Sequence, residues 1–347
     1  MTLSSGSEKL LISGACLVVL IAGMQAAAPL LVPFLMAAFI ASVCLPPMQW
    51  LMERRVPATA AVFTVISGVV LIGLLITAFA GASVADFSQN LPLYQARLEE
   101  QMTQFIAWLF NHGIAFPDTA LHDLFNLSAA MGMAGAFLSG IGNALANTFF
   151  IVLTVIFILF EAVALPHKWA FLGEHAPSTD ALKQFMQSVN RYLVIKTGMS
   201  IATGAAVTVW LTILGVDYPI LWGIVAFLFN FVPNIGSIIA AVPALLLALV
   251  QLGPDAVLYT GTGYIVINLL IGNVVEPRFM GRGVGLSTLV VFISLVFWGW
   301  VLGLVGMLLS VPLTMIVKIA LESNSGTRWI AVLLGPDVQP EEEKPEA

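Results

Sequence analysis

The segment Asn230-Phe231-Val232-Pro233-Asn234-Ile235-Gly236-Ser237 sits in the middle of an apolar stretch, residues 219–250. Its amide and hydroxyl side chains, Asn230, Asn234 and Ser237, offer both donors and acceptors. Pro233 lacks a backbone N–H, and Gly236 can reach conformations closed to other residues, so the two together interrupt a helix. The interruption leaves two apolar arms of about 14 residues, each short of the ~17 that a membrane crossing needs. Broken backbone is tolerated at membrane depth only where protein or a water-filled cavity covers it. The chemistry on offer is therefore recognition of an uncharged polar solute by hydrogen bonds in a cavity. A tight turn at the membrane surface is the other reading, since Pro, Asn and Gly also build ordinary turns.

A second interrupted stretch, residues 286–317, breaks around Trp298-Gly299-Trp300 and Gly303. Its second arm carries Gly306 and ends in Ser310-Val311-Pro312, much as Gly236 is followed by Val242-Pro243 in the first stretch. Each stretch is preceded by one ordinary span, and they would enter from opposite sides. That is the logic of an inverted repeat, with a site at its interface near the midplane. Asn268 falls in mid-span, and Asn273 comes soon after it. Polar residues inside a membrane are expensive and become candidates for a solute path. Glu276 and Arg278 flank Pro277, either as a paired coupling or gating group or as an anchor that orients the loop. Glu161 either takes up a proton or pairs with Lys168.

Other chemistries find little support. No Gly-x-x-x-x-Gly-Lys-Ser/Thr loop is present to cradle a nucleotide. No His-Glu-x-x-His occurs, and His112, His122, His167 and His175 lie in polar segments without ligand spacing. Neither a metal nor a cofactor is expected, nor catalysis. Cys16 and Cys44 both fall in apolar runs and read as small hydrophobes rather than a disulfide framework. No basic patch suggests nucleic acid.

The elements that would position the polar residues can be read from composition. Hydrophobic residues make up 59% of the chain and charged residues 9%, where a soluble domain carries roughly a quarter charged residues. Mean hydropathy is +0.99. The expected fold is all-α: a polytopic membrane protein with about five full spans plus two short or re-entrant helical hairpins. Spans are read at residues 10–28, 30–50, 58–84, 137–165, 197–214 and 256–275, the first two meeting at Pro29. Lys9 and the run after it imitate a secretory leader, but a second apolar run comes at once. With both termini in the cytoplasm, every Lys and Arg except Arg97 falls on the cytoplasmic side. The outer segment 86–135 holds Asp86, Glu99, Glu100, Asp118 and Asp123. This is the bias of the positive-inside rule and points to a bacterial inner membrane.

Five regions result: N-terminal spans (1–85), an extracytoplasmic amphipathic region (86–135), a fourth span with a cytoplasmic amphipathic helix (136–196), a core with both hairpins (197–321) and a cytoplasmic tail (322–347) with a disordered end. In the second region Leu91, Tyr94, Leu98, Met102, Phe105 and Leu109 share one helix face. Such a helix lies on lipid or packs on a neighbouring subunit. A second amphipathic helix is read at 179–192.

Glu276-Pro277, Gly281, Gly299, Gly303, Gly306 and Val311-Pro312, in that order, resemble a signature of the autoinducer-2 exporter family of bacterial membrane proteins. Pro233-Asn234-Ile235-Gly236 with Pro243 looks like that family's other signature. The resemblance covers roughly residues 10–321. It implies a secondary transporter, usually oligomeric (a pentamer among the options), that exports a small signalling molecule or related metabolite. Some similar proteins are assigned sodium/proton exchange instead. A cavity rich in Asn, Ser and Gly suits a small neutral polyhydroxylated solute. Sodium exchange would want an intramembrane carboxylate, for which Glu161 and Glu276 are the candidates. A third reading is an assembly protein working through the helix at 91–109.

The charge pattern makes a direct prediction. In a background without Cys16 and Cys44, a cysteine replacing Arg97 should react with a membrane-impermeant maleimide on intact spheroplasts. One replacing Arg55 should react only after the membrane is opened. The opposite pattern would invert the topology.

Overall fold

A computed structural model describes residues 5–112, 148–172, 180–233, 235–280, 285–322 and 326–335, and all regular structure among them is helical. Asn234, Gly281, Arg282, residues 113–147 and the end of the tail lie outside the described residues.

Two N-terminal helices, α1 (Ser5–Ala26) and α2 (Ala28–Glu53), meet at Ala27, and Pro29 starts the second where its missing N–H is harmless. Then come α3 (Ala58–Asn111), α4 (Thr148–Leu172) and α5 (Asp180–Leu214). The first hairpin is α6 (Pro219–Phe229) and α7 (Gly236–Leu252). The next span is α8 (Pro254–Asn268), which widens into a π-helical stretch, Leu269–Val275, and ends as α9 (Glu276–Met280). The second hairpin is α10 (Thr288–Leu308) and α11 (Ser310–Glu322), with the short α12 (Arg328–Leu333) after it. Six helices are long and apolar enough to cross a membrane. Five are ordinary spans, in α2, α3, α4, α5 and α8–α9, and the sixth is the first arm of the second hairpin.

Two expected helix boundaries are absent. The helix read at 91–109 is the continuation of α3, which runs unbroken through Pro92 for 54 residues, about 80 Å. The helix read at 179–192 is likewise the first part of α5. Polar residues at these junctions looked like span ends. In the folded chain Asp86 and Asn90 instead find a partner in Tyr218, 2.6 and 3.2 Å away. Of the amphipathic face, Tyr94 is buried on the first hairpin's cluster beside Phe87 and Trp222, so part of that face packs within the chain.

Packing divides the molecule. Ala37, Ala41, Cys44, Val62, Val155 and Leu159 are buried together where α2, α3 and α4 meet. The largest cluster surrounds the first hairpin and draws on α3, α5, α6, α7 and α8, with Leu295 of the second hairpin joining it. Helices α5 and α6 cross closely at Gly204 and Gly223: a Cβ on Gly223 would overlap Thr208 Oγ1 and lie 2.7 Å from the Gly204 carbonyl oxygen. Small residues at such crossings let helices pack without any hydrophobic drive from lipid.

Gly223→Ala should therefore force α5 and α6 apart and cost about 1–3 kcal/mol, read as a lower unfolding temperature of the protein in detergent. Gly68→Ala, where a Cβ would meet nothing within 4 Å, should be neutral or slightly stabilising.

Candidate functional site

The first hairpin cannot cross a membrane: α6 has 11 residues, a rise of about 16 Å against ~30 Å of hydrocarbon. The tip after Phe229 turns back at residues 230–235. A Cβ on Gly236 would overlap the Phe229 carbonyl oxygen, so only glycine lets α7 start this close to the end of α6. The feet of the hairpin are tied as well. Gln251 donates to the Gly215 carbonyl (3.1 Å) and accepts from the Asp217 N–H (2.9 Å). Gly215 has φ +73°, a region that favours glycine. Tyr218 is held at φ 59°, and its hydroxyl donates to Asp86 of α3. Tyr94 of α3 donates to Asp217 at 2.9 Å. Burial and the neighbouring Tyr218 and Asp217 push the Tyr94 phenol far above its usual pKa, which keeps it a donor.

The second hairpin repeats this construction. Gly285, at φ +67°, precedes it, and Lys318 at the end of its return arm donates to the Gly285 carbonyl at 2.6 Å. A Cβ on Gly306 would overlap the Trp298 carbonyl oxygen and lie 2.8 Å from Leu302 Cβ, as one on Gly236 would meet Phe229 and Val232. The spacing from Gly215 to Gly236 equals that from Gly285 to Gly306. The two feet lie at opposite ends of the α8–α9 span that joins them, so the hairpins enter from opposite ends. The expected break is corrected in one respect. The helix continues through Trp298-Gly299-Trp300 and is interrupted at Gly303, with φ 68° and ψ −150°. Trp298 is buried, and its indole donates to Thr314 Oγ1 at 3.0 Å, tying the two arms together. Gly299 lets Met307 approach, at 2.8 Å from a built Cβ.

The first tip meets α5 deep in the bundle. Asn230 Nδ2 donates to Ser200 Oγ at 3.0 Å, and both residues are buried. Phe231 packs edge-on against Phe39 and Phe227. Pro233 and Ser237 are half-buried at the turn. On α5, Lys196, Ser200 and Thr203 recur at steps of four and three and form one buried face. Among the described residues Thr203 Oγ1 is buried without a hydrogen-bond partner, as are Thr260 Oγ1 and Tyr264 Oη on α8 and Ser310 Oγ at the start of α11. The result is a polar, mostly uncharged seam between α5 and the first tip. Ser200 and Thr203 escaped the sequence reading because single hydroxyls in an apolar run are common; their four-three spacing from Lys196 was the available signal.

The remaining candidates separate. Asn268 is half-buried, its Oδ1 lying 3.4 Å from where a Cβ on Gly272 would be, at the start of the π-helical stretch. Asn273 and Arg278 are exposed. Glu276 does not pair with Arg278. It accepts two hydrogen bonds from Lys196 of α5, at 2.8 and 3.0 Å, in a pair whose side chains are 9% and 14% exposed. Glu161 pairs with Lys168 at 2.6 Å, with side chains 58% and 60% exposed, on a helix that packs on α2 and α3 rather than on the seam. Among the described residues no cluster of His, Cys, Asp or Glu could hold a metal ion.

The pattern of the family described as AI-2E family transporter matches residues 15–326. The chain belongs to this family. It is 41% identical over 327 residues to the AI-2 transport protein TqsA of Escherichia coli K12, covering 94% of this chain and 95% of that protein. It is 38% identical over 335 residues to a putative transport protein of Haemophilus influenzae, covering 94% and 96%. The putative transport protein YrrI of Bacillus subtilis is 25% identical over 310 residues, covering 83% and 84%. As an AI-2E family transporter with six apolar helices of crossing length, the chain is a multi-pass membrane protein in contact with the bilayer.

The two glycines at the hairpin turns generate a paired prediction. Gly236→Ala and Gly306→Ala should each displace a hairpin tip and lower transport at least tenfold. Gly198→Ala on α5, where a Cβ has open space, should leave transport intact. Equal effects at all three positions would remove the turns from the site.

Proposed function

We propose that the chain is a secondary transporter of the inner membrane that exports a small neutral polar solute, the signal autoinducer-2 or a related metabolite. The observation that carries this reading is the buried, uncharged Ser200–Asn230 hydrogen bond where the first hairpin tip meets α5. A hydroxylated solute can replace such a bond donor for donor and acceptor for acceptor. Thr203, one turn further along the same face, adds a buried hydroxyl with no partner. In this reading the two hairpins form an inverted repeat and act as opposing gates, with Asn230, Pro233, Asn234, Gly236 and Ser237 in one gate and Gly299 and Gly303 in the other. Asn268 borders the path. The molecule it handles is suggested by the name of the Escherichia coli relative and by the lack of charge in the seam.

A homo-oligomer, with a pentamer among the candidates, belongs to the same reading. Leu93 and Phe110 stand 50% and 73% exposed on the part of α3 beyond its apolar span, an apolar surface that a neighbouring subunit would cover. Cation/proton exchange through Glu161 is not favoured, because its carboxylate is exposed and paired with Lys168.

Counterflow of labelled autoinducer-2 into proteoliposomes of the purified protein tests the assignment. Uptake should need the protein and should fall by about tenfold, equivalent to ~1.4 kcal/mol, in Asn230→Ala and Ser200→Ala. Asn234→Ala should reduce it as well. Counterflow unaffected by all three substitutions would move the path away from the first tip.

A further inference from the structure

The ion pair between Lys196 and Glu276 is the one buried charge pair among the described residues, and the reading above leaves it without a task. Its position is unusual in three respects. It joins α5 to the end of the π-helical stretch, and so connects the spans that precede the two hairpins. Lys196 lies one helical turn from Ser200, so the pair and the Ser200–Asn230 bond occupy consecutive turns of one face. A π-helical insertion rotates the residues after it and is often found at functional positions; here it directly precedes Glu276.

From α5, Glu276 faces Lys196 and, one turn earlier, the buried Tyr192, which is within electrostatic range. Its own helix contributes Arg278, which is exposed. The second hairpin brings apolar Val311 and Met315 against Tyr192 and Leu193. The site therefore holds one acid, one cation and one phenol, and it is neutral as a whole while Lys196 and Glu276 are paired. Buried charges persist only when paired in this way, so any event that neutralises Glu276 must also relocate Lys196.

We propose that export is coupled to protons through Glu276, with Lys196 as the internal cation that a proton displaces; this rests on the reading of the seam as the solute path. A proton adds to a carboxylate oxygen of Glu276, and the neutral acid no longer holds the ammonium group. Lys196 then turns along the α5 face to the Ser200–Asn230 pair and donates to Ser200 Oγ, the acceptor that Asn230 Nδ2 uses, which frees Asn230 from Ser200 and releases the first tip. When the tip closes around the opposite opening, Lys196 returns to Glu276 and the proton leaves on the other side. One proton crosses in the direction opposite to each solute molecule, and no other reactant is needed.

Two measurements separate this inference from the transport reading. The first needs no solute. Infrared difference spectra of the reconstituted protein between acidic and alkaline pH should contain a protonated-carboxyl band that is lost in Glu276→Gln. The absence of such a band overturns the inference, whatever the solute is. The second uses proteoliposomes holding pyranine. Wild-type protein should acidify or alkalinise the lumen on addition of autoinducer-2 and should accumulate it under an imposed pH gradient. Glu276→Gln should lose gradient-driven accumulation by at least tenfold, and by more than it loses counterflow. Counterflow without proton movement in the wild type, or driven accumulation surviving in Glu276→Gln, overturns the inference while the exporter reading stands. Absence of wild-type counterflow alongside a titrating Glu276 band overturns the solute assignment instead. The reversed pair, Lys196→Glu with Glu276→Lys, guards against a merely structural role. It should restore the unfolding temperature lost in Lys196→Glu alone but not the coupling. Restored coupling would make the pair a brace and sink the proposal.

Discussion

A helix that ends inside hydrocarbon leaves up to four N–H and four C=O groups without partners, and lipid supplies none. In the first hairpin α6 is too short to cross and ends at such a depth, so the rest of the C-terminal half must cover what it exposes. The cover is made of backbone pressed against backbone. Gly236 sits against the Phe229 carbonyl and Gly306 against the Trp298 carbonyl, each too close for a side chain. The turn at the first tip is closed by Val232 N–H donating to Phe229 at 2.8 Å and Gly236 N–H donating to Val232 at 3.2 Å. The one side-chain amide at that tip with a described contact, Asn230, finds a hydroxyl on α5.

Fixing the tips would achieve little if the feet could slide. At one foot Gln251 bridges the residues before and after the first hairpin. At the other, Lys318 reaches back to Gly285, and the Ser287 N–H donates to Leu334 at 3.0 Å, so α12 closes the second foot. The extension of α3 then braces the first foot through Asp86, Asn90, Tyr94 and Gln101. This explains why α3 does not stop at the membrane surface. Its C-terminal part is a strut for the hairpin, and four of its polar side chains bind the hairpin's feet.

The apolar runs were legible because span length and charge bias are local properties: the spans, the first tip and the position of Gly303 can all be read from neighbours in sequence. What was hidden depends on partners far apart in the chain. Lys196 reads as one more cytoplasmic anchor, and Glu276 reads either as the partner of Arg278 two residues away or as an anchor that orients the loop. Only the antiparallel packing of α5 on α8–α9 brings Lys196 and Glu276 together across eighty positions. Side chains at i and i+2 on a helix point in different directions, which is why the Arg278 pairing was the wrong expectation.

A neutral solute offers no long-range field to hold it, so selectivity in the seam has to come from matched hydrogen bonds. Ser200 and Asn230 already satisfy each other. A solute entering between them gains only the difference between its own bonds and the one it breaks, since exchanged hydrogen bonds contribute modestly in net terms. That arrangement disfavours tight binding and favours release, which is what a carrier needs on its delivery side. Thr203, with no partner beside this pair, is where the balance tips: a solute that reaches it makes a bond the empty protein lacks. In the proposed reading the seam discriminates by whether a ligand can extend one helical turn beyond Ser200, a constraint of shape as much as of polarity.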